Sequence, residues 1–184
     1  EVRAIEPHLE VSDYAAVAYD PDAGYADPTA TATGLVRAAQ NEGATVLEGL
    51  EARTIMLRKA GVSGVRTRKG IIASGRILLA TGNWTPALAA TLGIRIPVRF
   101  VRGQVAILRR PVGFERAPKI HFDFYHNTYS RPESEKDVLV GYMDTDPRKT
   151  VRDHELKDDA VPGAVVRDLR DRLAERFPAM ARAQ

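Results

Sequence analysis

The sequence contains no cysteine among its 184 residues. This absence excludes a disulfide framework, a cysteine-type zinc site and a thiol nucleophile. A chain without thiols is compatible with a reducing compartment, so we expect a cytoplasmic location.

Long hydrophobic runs are also lacking. No apolar segment approaches the roughly 20 residues that a membrane-spanning helix needs, and residues 1–10 are charged and do not follow a signal-peptide pattern. We therefore expect no membrane partner. Because the sequence does not begin with Met and stops without an ending signal, we expect it to be a piece of a longer protein.

Several catalytic and nucleotide-binding motifs are missing. No serine lies in the G-x-S-x-G context of a hydrolase elbow, and no G-x-x-x-x-G-K-[ST] phosphate loop occurs. The dinucleotide fingerprint G-x-G-x-x-G is absent as well. These absences exclude a nucleophile-elbow hydrolase and a P-loop nucleotide site from the residues present.

Positive charge is concentrated in one stretch of a chain whose net charge is +3. This stretch predicts either an anionic partner or a solvated strand face. Aromatic residues are not interleaved with the arginines as a stacking platform requires, so we expect no nucleic-acid partner. The arginines are Arg95, Arg99, Arg102, Arg109, Arg110 and Arg116.

Two helices are predicted from their termini and their periodicity. Asp27 and Pro28 form a typical N-cap and first helical position, and Gly43 is the expected stop. A second amphipathic helix is expected to end at Pro178. The apolar residues on one face are Ala32, Leu35, Val36 and Ala39 in the first helix, and Val165, Val166, Leu169, Leu173 and Phe177 in the second.

Strand patterns fill most of the remaining sequence. Short β-rich runs at residues 52–57, 62–67 and 70–72, separated by glycines, predict an antiparallel meander. The apolar run 77–80 predicts a buried strand over residues 76–80, and the carboxyl end of such a strand is where ligands bind in open α/β sheets. Further strands are expected at 14–19, 44–47, 98–108, 119–125, 128–130 and 138–142, and residues 144–159 are expected to form a polar loop with a helical turn.

Three groups of residues are candidates for chemistry. The H-x-D-x-x-H pattern of His121, Asp123 and His126 could supply two metal ligands, but no clear third or fourth ligand follows, and ordinary polar residues explain it as well. Tyr129 and Arg131 end a strand, where an arginine can bind a carboxylate and a tyrosine can donate a hydrogen bond, although a surface turn gives the same pattern. Composition alone favours core packing for the single tryptophan, Trp84.

Four segments in order resemble the flavin-dependent amine and amino-acid oxidoreductases of the D-amino-acid oxidase superfamily, which includes glycine oxidase and the sarcosine oxidase or dehydrogenase β-type chains. They cover nearly the whole chain, and their order is more telling than any one motif. The segments are YDPDAGYADP (19–28); GATVLEG (43–49) with Val65, Arg66, Thr67 and Gly70; LATGNW (79–84) with PVR (97–99) and RGQ (102–104); and YSRPE (129–133) with VG (140–141) and FP (177–178).

The resemblance implies an α+β fold: a mixed, largely antiparallel sheet with flanking helices as the substrate domain, plus part of an α/β FAD-binding domain. Residues 1–27 and 85–184 would form the substrate domain, and residues 28–84 a portion of the FAD-binding domain with the small meander. It implies that Ala80, Thr81, Gly82 and Trp84 line the FAD edge. Ala52 would meet the adenine through its backbone, and Tyr129 and Arg131 would face the substrate.

The implied activity is oxidation of a C–N bond in an amino acid or a secondary or tertiary amine, with hydride passing to FAD and an imine as product. No catalytic base can be named from the sequence, and no resident metal is expected. Without the fingerprint that holds the pyrophosphate, we expect this segment alone to be inactive, and its incomplete sheet to associate with itself as a homo-oligomer. The alternative is a non-catalytic ligand-binding or interaction domain that uses the arginine-rich strand face.

Overall fold

The computed structural model describes residues 1–114, 116, 118–143, 150–151 and 160–184. They divide into two units: residues 1–24 with 100–184, called here the sheet unit, and residues 25–99, called the meander unit. Apart from residues 150 and 151, the loop predicted over 144–159 lies outside the described residues. Within the described ranges, no helix has the length and apolar character needed to cross a bilayer.

A short helix, α1, spans Val2–Ile5 in the sheet unit. The first helix of the meander unit is α2, Pro28–Asn41, as the sequence predicts. The Asp27 side chain accepts a hydrogen bond from the Ala30 N–H at 2.6 Å, and Gly43 ends the helix with φ +91°. No residue of α2 is buried, and Leu35 on its apolar face is 67% exposed. The amphipathic pattern is therefore real, but its apolar face lies against solvent.

Three antiparallel strands form the predicted meander in the order β1-β2-β3. Helix α3, Thr85–Ala90, follows a 3-10 turn at Gly82–Trp84 and packs on β1. Ile55 is buried there, and its N–H donates to Thr91 Oγ1 at 3.3 Å. The strands are β1 at Ala52–Arg58, β2 at Gly61–Thr67 and β3 at Gly70–Ala73.

Three predicted strands are not strands in the structure. Residues 14–19, 44–47 and 76–80 have extended or irregular backbone without a ladder, and Leu78 is 90% exposed. A strand persists only when a neighbour satisfies its N–H and C=O groups, and no described strand runs beside these segments. The prediction of a buried central strand at 76–80 is therefore wrong for the chain as it stands.

The sheet unit is built on an antiparallel sheet in the order β5-β8-β7-β6, with helix α4 against one face. The sheet strands are β5 at Val105–Arg109, β6 at His121–Asp123, β7 at Thr128–Pro132 and β8 at Asp137–Tyr142. Strands β4, Phe100–Val101, and β9, Thr150–Val151, form a separate antiparallel pair, so the single strand predicted over 98–108 is divided in two. Every strand pair among the described residues is antiparallel, which agrees with the expected largely antiparallel α+β fold.

Helix α4, Gly163–Arg176, covers the core of the sheet unit. Its Leu169 and Leu173 are fully buried, and the chain turns at Phe177 and Pro178 into a 3-10 helix, Pro178–Arg182, as the predicted stop requires. The sheet side chains beneath it alternate along each strand with those on the opposite face. The buried core includes Leu9, Ala106, Leu108, Phe114, Val138, Val140, Phe177 and Met180.

Candidate functional site

The face of the four-stranded sheet opposite α4, called here the open face, carries both substrate-site candidates. Thr128 and Ser130 of β7 are buried under α4, while Tyr129 and Arg131 alternate to the open face and are partly exposed. The two candidates are two positions apart on one strand, so their Cα atoms lie about 6.7 Å apart. The spacing Y-x-R thus places a phenol and a guanidinium side by side, as an i, i+2 pair requires.

The position of the Tyr129 side chain on the open face is defined by its neighbours on β6 and β8. In the sheet register it lies opposite Gly141 of β8 on one side and Phe122 of β6 on the other. A Cβ atom at Gly141 would lie only 2.8–2.9 Å from Cε1, Cζ and Oη of Tyr129, so the phenol ring lies across the β8 backbone. The Phe122 ring is 6.3 Å away between centroids. Together these neighbours determine where the hydroxyl group lies.

Arg131 is oriented by its own strand end. Its Nη1 lies 2.5 Å from Glu133 Oε2 and donates to the Pro132 carbonyl at 3.0 Å. A guanidinium carries five N–H donors in a planar fork, a geometry that matches a carboxylate. The side chain is 24% exposed. The contacts with Glu133 and Pro132 therefore set the direction of the fork.

A buried polar network supports the other end of the sheet. Asp123 Oδ1 accepts from the N–H groups of Tyr125 at 3.0 Å and His126 at 3.1 Å, which closes the turn between β6 and β7. Its Oδ2 contacts His126 Nδ1 and Arg176 Nε, each at 2.6 Å. Burial opposes ionisation of this carboxyl, but the hydrogen bonds from Arg176 and His126 outweigh it and lower the pKa of Asp123 to about 2.

Arg176 joins this network to the N-terminal segment. Its guanidinium lies 4.0 Å from the centroid of the Tyr14 ring, and Nη1 donates to Asp13 at 2.5 Å. Burial works against its charge, yet the bonds to Asp13 and Asp123 raise the pKa of Arg176. Burial and the Asp123 charge raise the pKa of Tyr14 to about 12. At neutral pH, Arg176 and Asp123 are thus a buried ion pair capped by an aromatic ring.

His121 belongs to the same network through Tyr14. The Tyr14 hydroxyl lies 2.9 Å from His121 Nε2, and burial lowers the pKa of His121. The lowered pKa favours the neutral imidazole, which is hydrogen-bonded to the Tyr14 hydroxyl. The H-x-D-x-x-H pattern is explained by these contacts, and in the described ranges no three His, Asp or Glu side chains are grouped to hold a metal.

Sequence reasoning missed Arg176 and Tyr14 as members of this network. Arg176 lies 53 positions from Asp123, and no local pattern marked it. Tyr14 was assigned to a strand that does not form. The one available signal was an arginine at the end of an amphipathic helix on its apolar side, next to Phe177.

The five residues expected to bind FAD all lie in the meander unit. Ala52 is the exposed first residue of β1; Ala80 and Thr81 lead into the 3-10 turn that begins at Gly82. Gly82 has φ +50°, and no atom lies within 4 Å of the position of a Cβ there. Trp84 is 51% exposed, so the interpretation of it as a core residue is wrong. The structure thus places these five residues in one unit, and Tyr129 and Arg131 in the other.

The arginine-rich stretch does not form one strand face. Arg95 and Arg99 lie in irregular backbone, and only Arg109 is part of a strand. Arg109 pairs with Asp137 at 3.2 Å. Arg102 donates to the Ala160 carbonyl at 3.3 Å, and Arg110 to the carbonyls of Phe114 and Glu135. The expectation of a common strand face is therefore wrong, and an anionic partner stays a prediction.

Comparison with known proteins identifies the family. The model of the DAO family, described as FAD dependent oxidoreductase, matches residues 1–184. The chain therefore belongs to this FAD-dependent oxidoreductase family, as its sequence motifs predict.

Among curated relatives, mitochondrial sarcosine dehydrogenase of Homo sapiens is 27% identical over 147 residues, covering 77% of this chain and 16% of that protein. The formaldehyde-forming 4-methylaminobutanoate oxidase of Paenarthrobacter nicotinovorans is 32% identical over 127 residues, covering 68% and 15% respectively. The chain thus spans about a sixth of the length of these relatives.

Solved structures show the same fold. L-proline dehydrogenase from P. horikoshii superposes with a TM-score of 0.84 over 99% of this chain and 47% of its own, at 23% identity. Glycine oxidase from Geobacillus kaustophilus gives a TM-score of 0.64 over 83% of this chain and 38% of its own, at 25% identity. These likenesses confirm the α+β architecture with antiparallel sheets.

Proposed function

We propose that this chain is the central part of an FAD-dependent oxidoreductase that oxidises a C–N bond of an amino acid or a secondary or tertiary amine. The observation that carries the proposal is the family match over all 184 residues. The substrates in the relatives' names support its finer part. Sarcosine, 4-methylaminobutanoate, glycine and proline each combine an amine with a carboxylate.

On the substrate side, we assign carboxylate binding to Arg131 and hydrogen bonding to Tyr129. Arg131 is oriented by Glu133 and presents a partly exposed, planar guanidinium, whose shape and charge suit bidentate binding of a carboxylate. Tyr129 lies beside it on the same face. We assign residues 1–27 and 85–184 to the substrate domain, and residues 28–84, which lie within the meander unit, to the FAD-binding domain.

On the cofactor side, the residues at the end of segment 76–80 suit a flat ring system. Gly82 leaves open space where a side chain would lie, and Trp84, two positions further along the chain, is half exposed. Ala80, Thr81, Gly82 and Trp84 would hold the flavin edge, and Ala52 would meet the adenine through its backbone. These residues would hold FAD, whose chemistry would be to take up a hydride from the C–H bond beside the amine nitrogen and leave an imine that water hydrolyses.

The residues of this chain therefore bind and orient the substrate. Arg131 holds the carboxylate, which fixes the distance between that group and the amine-bearing carbon. Tyr129 contributes a hydroxyl whose place is fixed by Gly141 and Phe122. No basic residue is needed to remove a proton from carbon in a hydride transfer. We propose that the 184-residue chain alone does not turn over, since it spans only a sixth of its curated relatives.

The test compares substrates on the full-length protein. Substrates with a carboxylate, such as sarcosine and proline, are compared with N-methyl amines that lack one. Replacement Arg131→Met is expected to raise KM for the carboxylated substrates by roughly tenfold to a hundredfold and to leave the others unchanged. Arg170→Met on α4, where Arg170 contacts the neighbouring Asp171 at 2.8 Å, is the matched control. An equal effect on both substrate classes would refute the assignment of Arg131.

A further inference from the structure

Among the described residues, Gly141 is the glycine at which an added Cβ would collide with one side chain, the Tyr129 ring. Of the 14 glycines, only Gly64 and Gly141 would bring an added Cβ within 3.0 Å of another atom. At Gly64 the obstacle is the backbone of β3, and φ is +151°. At Gly141 the three nearest atoms all belong to the Tyr129 ring, and the backbone is not in the left-handed region.

The strand itself does not call for a glycine at this position. Glycine in the interior of a strand costs conformational entropy and contributes no packing, roughly 0.5–1 kcal/mol relative to alanine. β8 is an inner strand, paired to β5 and β7 on its two sides. Its backbone at residue 141 is buried, because the Tyr129 phenol covers it. The glycine at position 141 thus lowers the stability of the strand, and what it allows in return is that the Tyr129 ring lies flat across β8.

We propose that Gly141 is a positioning residue of the substrate site: it lets the Tyr129 phenol lie flat on the open face and so sets the place of the hydroxyl beside Arg131. The inference rests on the proposed function, because it deepens the role of Tyr129 there. An alanine at 141 would lift the ring away from β8. The hydroxyl would move, and the ring would occupy space above the sheet that a substrate needs.

A flat ring also accounts for the surroundings of Tyr129. Phe122 flanks it on β6 with a tilt of 31° between the rings, so the two aromatics and Gly141 form a low row across three strands. Arg131 stands in the next row, opposite Leu139. The open face thus has a floor at Tyr129 and a charged group at Arg131, an arrangement in which the carboxylate is held at one end and the rest of a small amino acid lies over the ring.

The first test measures the position of the Tyr129 ring on β8 without measuring activity. The full-length protein is labelled with fluorotyrosine, and the fluorine NMR line of residue 129 is assigned by its absence in Tyr129→Phe. Gly141→Ala is expected to shift this line. Gly75→Ala, at a glycine with open space around it and no positive φ, is expected to leave it in place. An unmoved line in Gly141→Ala would overturn the proposal.

The second test asks whether Gly141 affects substrate binding through the Tyr129 ring. Gly141→Ala is expected to raise KM for a carboxylated amine by about tenfold, with a smaller change in kcat. In a Tyr129→Ala background, where the obstructing ring is gone, the same change is expected to have no further effect. An equal loss in both backgrounds would show a general effect on the fold and would overturn the positioning role.

The outcomes separate this inference from the proposed function. A shifted fluorine line with an unchanged KM would overturn the role of Gly141 while the wild-type protein still oxidises amines. If no amine reduces the flavin of the wild-type protein, the proposed function fails, whatever the fluorine line shows.

Discussion

Replacing Asp123 with asparagine tests the buried network under the sheet. Asparagine has nearly the same shape, and its oxygen can still accept from the N–H groups of Tyr125 and His126. Its amide NH2 would then face two donors, His126 Nδ1 and Arg176 Nε, which now lie 2.6 Å from Oδ2. Arg176 would keep only Asp13 as a charged partner. Because removing one partner of a buried ion pair costs about 3–5 kcal/mol, we expect a loss of that order at pH 7.

The pH dependence of this loss follows from the pKa of Asp123. Its folded-state value, about 2, lies below the ordinary 3.8, so the ionised carboxyl stabilises the fold at pH values above about 4. That stability, roughly 2 kcal/mol, is lost as the pH falls from about 4 through about 2. The difference between the wild type and Asp123→Asn should therefore be constant from pH 7 to pH 5 and shrink below pH 4.

The assay is urea unfolding of the full-length protein, followed by circular dichroism between pH 7 and pH 2. Asp171→Asn is the matched control, because Asp171 pairs with Arg170 at 2.8 Å on the same helix but is 64% exposed. Such a surface pair contributes at most about 1 kcal/mol. Equal midpoints for the two variants at pH 7, or a difference from wild type that persists undiminished at pH 2, would refute the reasoning.

Three further predictions concern the meander unit. Gly64→Ala should destabilise the protein by more than about 2 kcal/mol in thermal unfolding, because the new Cβ meets the Ile72 carbonyl at a positive φ; a neutral effect would contradict the register of β2 and β3. Asp27→Ala should cost about 1 kcal/mol by the same measurement through loss of the bond to the Ala30 N–H, and Asp27→Asn should restore most of it. The isolated 184-residue chain should associate with itself in sedimentation, because Leu78 and the apolar face of α2 are exposed; a monomer at high concentration would count against this.

Local signals in the sequence were sufficient for the elements that depend on local chemistry. Asp27 with Pro28 marks the start of α2, Pro178 marks the end of α4, and the glycine turns mark the meander, because caps and turns are decided by adjacent residues. The strand predicted at 76–80 failed for the opposite reason. An apolar run predicts burial, but a strand also needs hydrogen-bonded neighbours, and the described strands offer none to this segment.

In the candidate site, too, features that depend on neighbouring residues can be predicted from the sequence, and features that depend on distant residues cannot. Tyr129 and Arg131 share one face because side chains alternate along β7, and this follows from their spacing once the strand is given. The role of Gly141 could not be read from the sequence, because it depends on the register between β7 and β8, which no local pattern specifies. The Asp123–Arg176 pair likewise joins residues 53 positions apart, and only the packing of α4 brings them together.

We propose that this chain forms the substrate side of a flavoenzyme acting on carboxylated amines. The most direct measurement is to purify the full-length protein, determine its bound FAD, and mix it with sarcosine, glycine or proline in the absence of oxygen. We expect a yellow protein whose flavin absorbance is bleached by at least one of these amino acids, more slowly in Arg131→Met. A protein that purifies without flavin, or a flavin that no amine or amino acid reduces, would contradict it.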